Sequence, residues 1–278
     1  MLIGAHVSMA GGIFKAPENA HEFGCEAFQI FSRSPQGGPA PKLTDEILEK
    51  FFANCKEFDQ KEWVVHAPYY INFANPEKRI RDNSIRIITE ELARSNTLQA
   101  AHLMFHTGSA KGSTREEGLK FAVAGISKVL ENYEGETNLL IEISAGAGEV
   151  IGDTFEEIAH LLYEIKHPKL AVCFDTQHAF ASGYDISTAE AVENTFDQFD
   201  KIIGLEKLKM SHCNDSKIEL GGRKDRHEHL GKGLIGEDGF AALLGSKKLS
   251  HVNWYCETEY DFIKDDIALL KEIRKKQA

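Results

Sequence analysis

At 278 residues, with 42% hydrophobic and 27% charged residues, the chain has enough apolar material for a large core and a length ordinary for one (β/α)8 barrel. No run of about 18 or more apolar residues occurs, so no membrane span is expected, and the opening MLIGAHVSMAGG lacks the basic and long apolar regions of a secretory leader. The formal charge of −11 weighs against a broadly basic nucleic-acid surface, but bound divalent cations would reverse the local sign, so charge does not exclude DNA.

Eight short apolar runs recur along the chain, and each is expected to form a strand. The first two are LIGAHVS (2–8) and AFQIFS (27–32). A Gly- and Pro-rich stretch from Ser34 to Thr44 follows; it reads as a long loop of a barrel rather than a domain linker. The helical pattern LTDEILEKFFANCKEF leads to the third run, WVVHAPY (63–69), and EELARSNTLQAA to the fourth, LMFHTGS (103–109). GLKFAVAGISKVLENY precedes NLLIEIS (138–144), and TFEEIAHLLYEI precedes LAVCFDT (170–176). The last two runs are LEKLKMSH (205–212) and NWYCETE (253–259). Strand alternating with helix implies a parallel sheet, and eight such units favour closure. No G-x-G-x-x-G follows the first run, which weighs against a dinucleotide fold. The expectation is a single TIM-barrel domain over 1–278.

The runs end in side chains that bind metals. The third ends at His66, the fourth at His106, and the fifth carries Glu142; the sixth, seventh and eighth carry Asp175, His212 and Glu257. Successive separations are 40, 36, 33, 37 and 45 residues, the length of one barrel unit. Because the C-terminal ends of barrel strands share one mouth, these six should converge. His178 follows Asp175 by about one helical turn, and Asp225 and His227 form a D-x-H pair whose side chains point the same way in an extended segment. Five imidazoles and four carboxylates without thiolate suit Zn, Mn or Fe in a catalytic site. They exceed what one ion can use; three ions become reasonable if a carboxylate bridges. The remaining histidines, His21, His102, His160, His167, His229 and His251, are read as structural. Five scattered cysteines with no C-x-x-C pair read as reduced thiols of a cytoplasmic protein. Cys213 and Cys256 are expected to point away from the mouth, while Cys173 shares the face of Asp175.

The stretches GAHVS (4–8), HAPYYIN (66–72), FHTGS (105–109), EISAGAG (142–148), FDTQHAFASGYD (174–185), SHCNDSK (211–217), GGRKDRHEHLGKGLIG (221–236) and ETE (257–259) resemble the endonuclease IV family in order along almost the whole chain. The resemblance implies a trinuclear zinc site, with Mn2+ or Fe2+ as substitutes. His66 and His106 would hold one ion, with Glu142 bridging it to a second. Asp175, His212 and Glu257 would complete the second, and His178, Asp225 and His227 would hold the third. It further implies hydrolysis of double-stranded DNA 5′ of an abasic site, leaving a 3′-hydroxyl. Glu142 would orient the attacking water, and the enzyme would act as a monomer. From the matching motifs, His6, Ser8, Tyr69, Tyr70, Asn72, Arg223 and Arg226 become candidate substrate contacts, with Lys217 and Lys224 as further phosphate candidates. Glu259 is a fallback for Glu257. The sequence departs from the family pattern in the loop after the second run, where Gln36 and Gly38 stand for the usual Arg and Trp. It departs again at Thr107, Ile143 and Ser144. None of these positions is a ligand.

Two other readings fit parts of the pattern. Glu142, Asp175, His212 and Glu257 alone would serve a single ion in a sugar isomerase or epimerase, which leaves the other five ligands without a role. A barrel that binds without turnover is the third.

Overall fold

The computed structural model describes residues 1–277. Eight parallel strands close into a barrel: β1 (Ile3–His6), β2 (Ala27–Phe31), β3 (Glu62–His66), β4 (His102–Phe105), β5 (Asn138–Glu142), β6 (Leu170–Asp175), β7 (Leu208–His212) and, after the two-residue strands β8 (Asp215–Ser216) and β9 (His227–Glu228), β10 (Asn253–Cys256). The ring order is β1-β10-β7-β6-β5-β4-β3-β2. All eight runs read from the sequence are strands of this barrel. Helices α1 (Ala16–Glu22), α2 (Asp45–Glu57), α3 (Lys78–Thr97), α4 (Arg115–Leu130), α5 (Phe155–Ile165), α6 (Thr176–Ser182), α7 (Ala189–Ile202), α8 (Gly236–Gly245) and α9 (Ile263–Gln277) fill the connections. The segment from Ser34 to Thr44 has neither helix nor strand, in keeping with its Gly and Pro content. No helix among the described residues is long and apolar enough to cross a membrane.

The barrel strands are buried on both faces, so two apolar sets alternate along them. Outward residues such as Phe28, Ile30, Val65, Leu103, Phe105, Ile141, Val172 and Phe174 pack under the helices. Inward residues Ala27, Val64, Met104, Leu140, Ala171, Cys173, Met210 and Tyr255 form a separate cluster that fills the lumen. Tyr255 is the largest of them, and β1 makes room with glycine: a Cβ on Gly4 would collide with the Ala27 carbonyl oxygen and lie 3.3 Å from the Tyr255 ring. Below this layer Glu62 accepts hydrogen bonds from Tyr255 Oη at 2.6 Å and Asn253 Nδ2 at 2.9 Å. The lumen is a packed plug, not a pore.

Helix starts are specified locally. Thr44, Thr154 and Thr188 cap α2, α5 and α7, and Thr114 with Glu117 forms a reciprocal capping box at α4. Helix α6 is capped by Asp175, whose Oδ1 accepts from His178 N at 2.8 Å.

Candidate metal centre

Strand alternation carries the metal-competent side chains to one place. Two residues before each lies a member of the lumen plug: Val64 before His66, Met104 before His106, Leu140 before Glu142, Cys173 before Asp175, Met210 before His212 and Tyr255 before Glu257. The period of two therefore turns all six inward, one step above the plug at the C-terminal mouth. His178 arrives from the first turn of α6, and His227 from the short β8–β9 ladder, where Ser216 pairs with His227.

The groups form three overlapping clusters whose ligand atoms lie within 4.8 Å of one another: His66 with His106 and Glu142; Glu142 with Asp175, His212 and Glu257; and Asp175 with His178 and His227. Glu142 and Asp175 each belong to two of them. Glu142 Oε2 lies 3.6 Å from His66 Nε2 and 3.5 Å from His106 Nε2. His212 Nδ1 is 3.3 Å from Glu257 Oε2 and 3.7 Å from Asp175 Oδ2. Asp225 Oδ1 is 3.4 Å from both His178 Nε2 and His227 Nε2. These separations exceed an ordinary hydrogen bond, whereas His212 Nδ1 and Glu142 Oε1, 2.9 Å apart, make one. The longer separations match instead the spacing of atoms around a shared ion, since tetrahedral zinc ligands at ~2.0–2.1 Å stand roughly 3.3 Å apart.

Buried polar atoms give a second test of the fit. Glu142 Oε2, His178 Nε2 and His227 Nε2 are buried with no hydrogen-bond partner, a costly condition for polar atoms inside a protein. All three point into the clusters. Main-chain carbonyls fix the opposite ring nitrogen in two cases: His66 Nδ1 donates to Ala67 O at 2.6 Å, and His178 Nδ1 to Ile143 O at 3.0 Å. Each bond places the proton away from the centre and leaves Nε2 as a lone-pair donor. The residues fit divalent metal ions.

Charge balance agrees. Burial opposes protonation of His178, yet Asp175, Asp225 and Glu142 outweigh it and push the imidazole well above its ordinary value. Burial likewise opposes the charge on His212, and Cys173, Glu142 and Glu257 prevail in the same direction. Burial would raise Glu142, but His106 and His212 hold it well below the usual carboxylate range. For His6 burial wins over the pull of Glu257 and the value falls to about 4. Without cations, protons on two imidazoles supply positive charge that the carboxylates demand; metal ligation would displace them.

A cavity of about 340 Å³ opens over the clusters, lined by His6, His66, Tyr69, His106, His178, Asp225, His227, Glu257, Thr258 and Tyr260. Tyr69 is 66% exposed and packs edge-on against Phe31; Tyr70 instead packs against the core. Asn72 is engaged within the protein, donating to Ser109 O at 3.1 Å and accepting from the amides of Ala74 and Ser109. Arg223 is likewise engaged: Nη2 reaches Asp153 at 2.7 Å and Nε reaches Gly146 O at 3.0 Å. Ser8, Arg226 and Lys224 are exposed, and Lys217 faces Glu228 at 3.9 Å. It is Glu257 rather than Glu259 that joins the clusters.

Three residues here carry no flag in the sequence. Gln29, on β2, bonds both His212 and Glu257. Asn214 donates to Asp175 Oδ2 at 2.7 Å and accepts from Glu257 N at 2.8 Å. Asp215, fully buried, accepts from the amides of Gly231, Gly233, Ile235 and Gly236 and so folds the segment that follows His227. A Cβ on Gly233 would lie 2.5 Å from its carboxylate, which is why glycine stands there.

A closed parallel barrel with clustered imidazoles and carboxylates at its mouth defines a class, and residues 17–274 match the family described as "Xylose isomerase-like TIM barrel". Within that class, "Probable endonuclease 4" of Aquifex aeolicus is 40% identical over 98% of this chain and 97% of its own length. The crystal structure of endonuclease IV from Thermus thermophilus aligns with a TM-score of 0.85 and 31% identity, covering 100% of this chain and 98% of that one. A D-tagatose 3-epimerase-like protein shares the fold, with a TM-score of 0.75 at 20% identity over 100% and 98% of the two chains. The chain belongs to the endonuclease IV family.

Proposed function

We propose that this protein is a DNA-repair endonuclease of base excision repair that hydrolyses the phosphodiester 5′ of an abasic site in double-stranded DNA, leaving a 3′-hydroxyl. The observation that carries the metal-dependent part is the set of buried, partnerless atoms Glu142 Oε2, His178 Nε2 and His227 Nε2 among groups spaced as common ligands. Family membership supports the substrate. His66 and His106 would hold one ion with Glu142; Glu142, Asp175, His212 and Glu257 a second; His178, Asp225 and His227 a third. Zinc suits the imidazole and carboxylate set, with Mn2+ or Fe2+ as substitutes. Bound there, divalent ions supply a water nucleophile near neutral pH and neutralise charge on the reacting phosphodiester.

The protein's own groups do the rest. Glu142 is fully buried and stands in two clusters, so it holds the spacing between them. The lumen plug beneath closes the centre to water from below and lowers the local dielectric, which strengthens each electrostatic contact above it. His6 lines the cavity and would donate a hydrogen bond to a phosphate lying over the clusters. Tyr69 is the side chain on the rim suited to stack in the gap of a duplex that lacks a base.

Purified protein should nick a synthetic abasic-site duplex, leave the intact duplex uncut, and lose activity with a strong chelator. Glu142→Gln and His178→Ala should nearly abolish cutting. His21→Ala, which alters a residue of α1 that packs on Phe58, should not. The single-ion isomerase reading rests on the Glu142, Asp175, His212 and Glu257 cluster, and metal content decides between the two. About one ion per chain sinks the nuclease reading; nearly three supports it.

A further inference from the structure

We infer that Gln29 is a positioning residue that imposes the tautomer of His212 and the orientation of Glu257, and so prepares one metal subsite; the inference rests on the metal reading above. Gln29 is fully buried and lies at an inward position of β2, paired with Val64 of β3 and His6 of β1. Its Nε2 donates to Glu257 Oε1 at 2.6 Å, its Oε1 lies 2.8 Å from His212 Nε2, and its Nε2 also lies 3.0 Å from His6 Nδ1.

The chemistry of the partners leaves one arrangement. A carboxylate oxygen only accepts, so the amide nitrogen must face Glu257 and the amide oxygen must face His212. Because that oxygen only accepts, His212 must carry its proton on Nε2. Without cations, Nδ1 shares a second proton with Glu142 Oε1 at 2.9 Å; metal ligation would displace that proton and leave the lone pair on Nδ1, the atom that points at Glu142, Asp175 and Glu257. The same amide leaves Glu257 Oε2 facing the cluster. The second amide hydrogen reaches His6 Nδ1, so His6 keeps its proton on Nε2 and acts as a hydrogen-bond donor. His66 and His178 have their tautomers set by main-chain carbonyls, which no substitution removes. His212 relies on one side chain, and that makes the device testable.

The test uses the full-length zinc-loaded protein. In the wild type, two-bond proton–nitrogen correlation spectra of 15N-histidine protein should show His212 protonated at Nε2 and unprotonated at Nδ1. The opposite tautomer would overturn the inference without any variant. Zinc affinity is then measured by competition with a chromophoric chelator for wild type, Gln29→Leu and the nearly isosteric Gln29→Met. Gln29→Met keeps the packing and loses all three hydrogen bonds, so one class of zinc site should weaken by ~10–100-fold while the other ions stay in place. Wild-type affinity in Gln29→Met overturns the inference alone. A wild type that holds no zinc takes down the metal reading and this inference together.

Discussion

The main-chain N–H of His178 donates to Asp175 Oδ1 at 2.8 Å, so one carboxylate both starts α6 and faces the ligand clusters. Its second oxygen is held by Asn214 and lies 3.7 Å from His212 and 3.9 Å from His227. The spacing of an N-cap thus fixes the distance between the two clusters that share Asp175.

These two duties separate by mutation. Asparagine caps helices about as well as aspartate, whereas alanine does not. In chelated protein, Asp175→Ala should be less stable than Asp175→Asn by about 1 kcal/mol, read from urea unfolding. Both should lose zinc and drop nicking by ~10³-fold or more. Zinc retention by Asp175→Asn would remove Asp175 from the ligand set.

Tyr69 offers its ring to solvent at the rim of the cavity. Stacking is worth ~1–3 kcal/mol per base, so Tyr69→Ala should weaken binding to an abasic duplex by roughly 10-fold or more. Affinity for the intact duplex should change little. Fluorescence anisotropy with both duplexes at fixed salt gives the answer; an equal loss on both would make Tyr69 a general contact.

Acid should act on the bottom of the barrel as well as on the metal centre. His102 is buried beneath the plug beside Asn138, and burial depresses it from its ordinary 6.5 to about 4. A depressed histidine favours folding while neutral: its contribution is complete above pH 6.5 and is lost as pH falls toward 4. His102→Gln keeps an acceptor for Asn138 and cannot titrate. Relative to wild type, the variant should gain about 2 kcal/mol between pH 7 and pH 5 in chemical denaturation. A constant difference across that range would refute the neutral buried imidazole.

Asp215 gathers amides that no asparagine can satisfy, because one of its two oxygens would become a donor. Asp215→Asn should destabilise the protein by about 2–4 kcal/mol. The segment 217–235 should become the first site of limited proteolysis. Unchanged protection there would mean that the segment is held by something else.

Much of the site was legible in the sequence because the barrel makes it periodic. His66, His106, Glu142, Asp175, His212 and Glu257 repeat at the length of one barrel unit and close apolar runs, which few structural roles would reproduce six times. Gln29 was not legible. One amide inside AFQIF looks like any satisfied buried polar group until β1, β7 and β10 are brought beside it. Asp215 was hidden for a related reason: it is one more acid in SHCNDSK, and only the folded return of Gly231 to Gly236 brings the amide donors to it. Asn72 and Arg223 mark the opposite limit. Their motifs make them candidate substrate contacts and say nothing of the hydrogen bonds by which they also join loops to each other.

The packed lumen beneath the ligands has a kinetic meaning. With Tyr255, Met104 and Met210 closing the floor, nothing passes through the barrel: whatever reaches the clusters enters and leaves at the mouth. Under the proposed activity, a cleaved strand that stays there would block the next one, and a burst of product in the first turnover of a rapid-quench nicking assay would show departure to be the slower step.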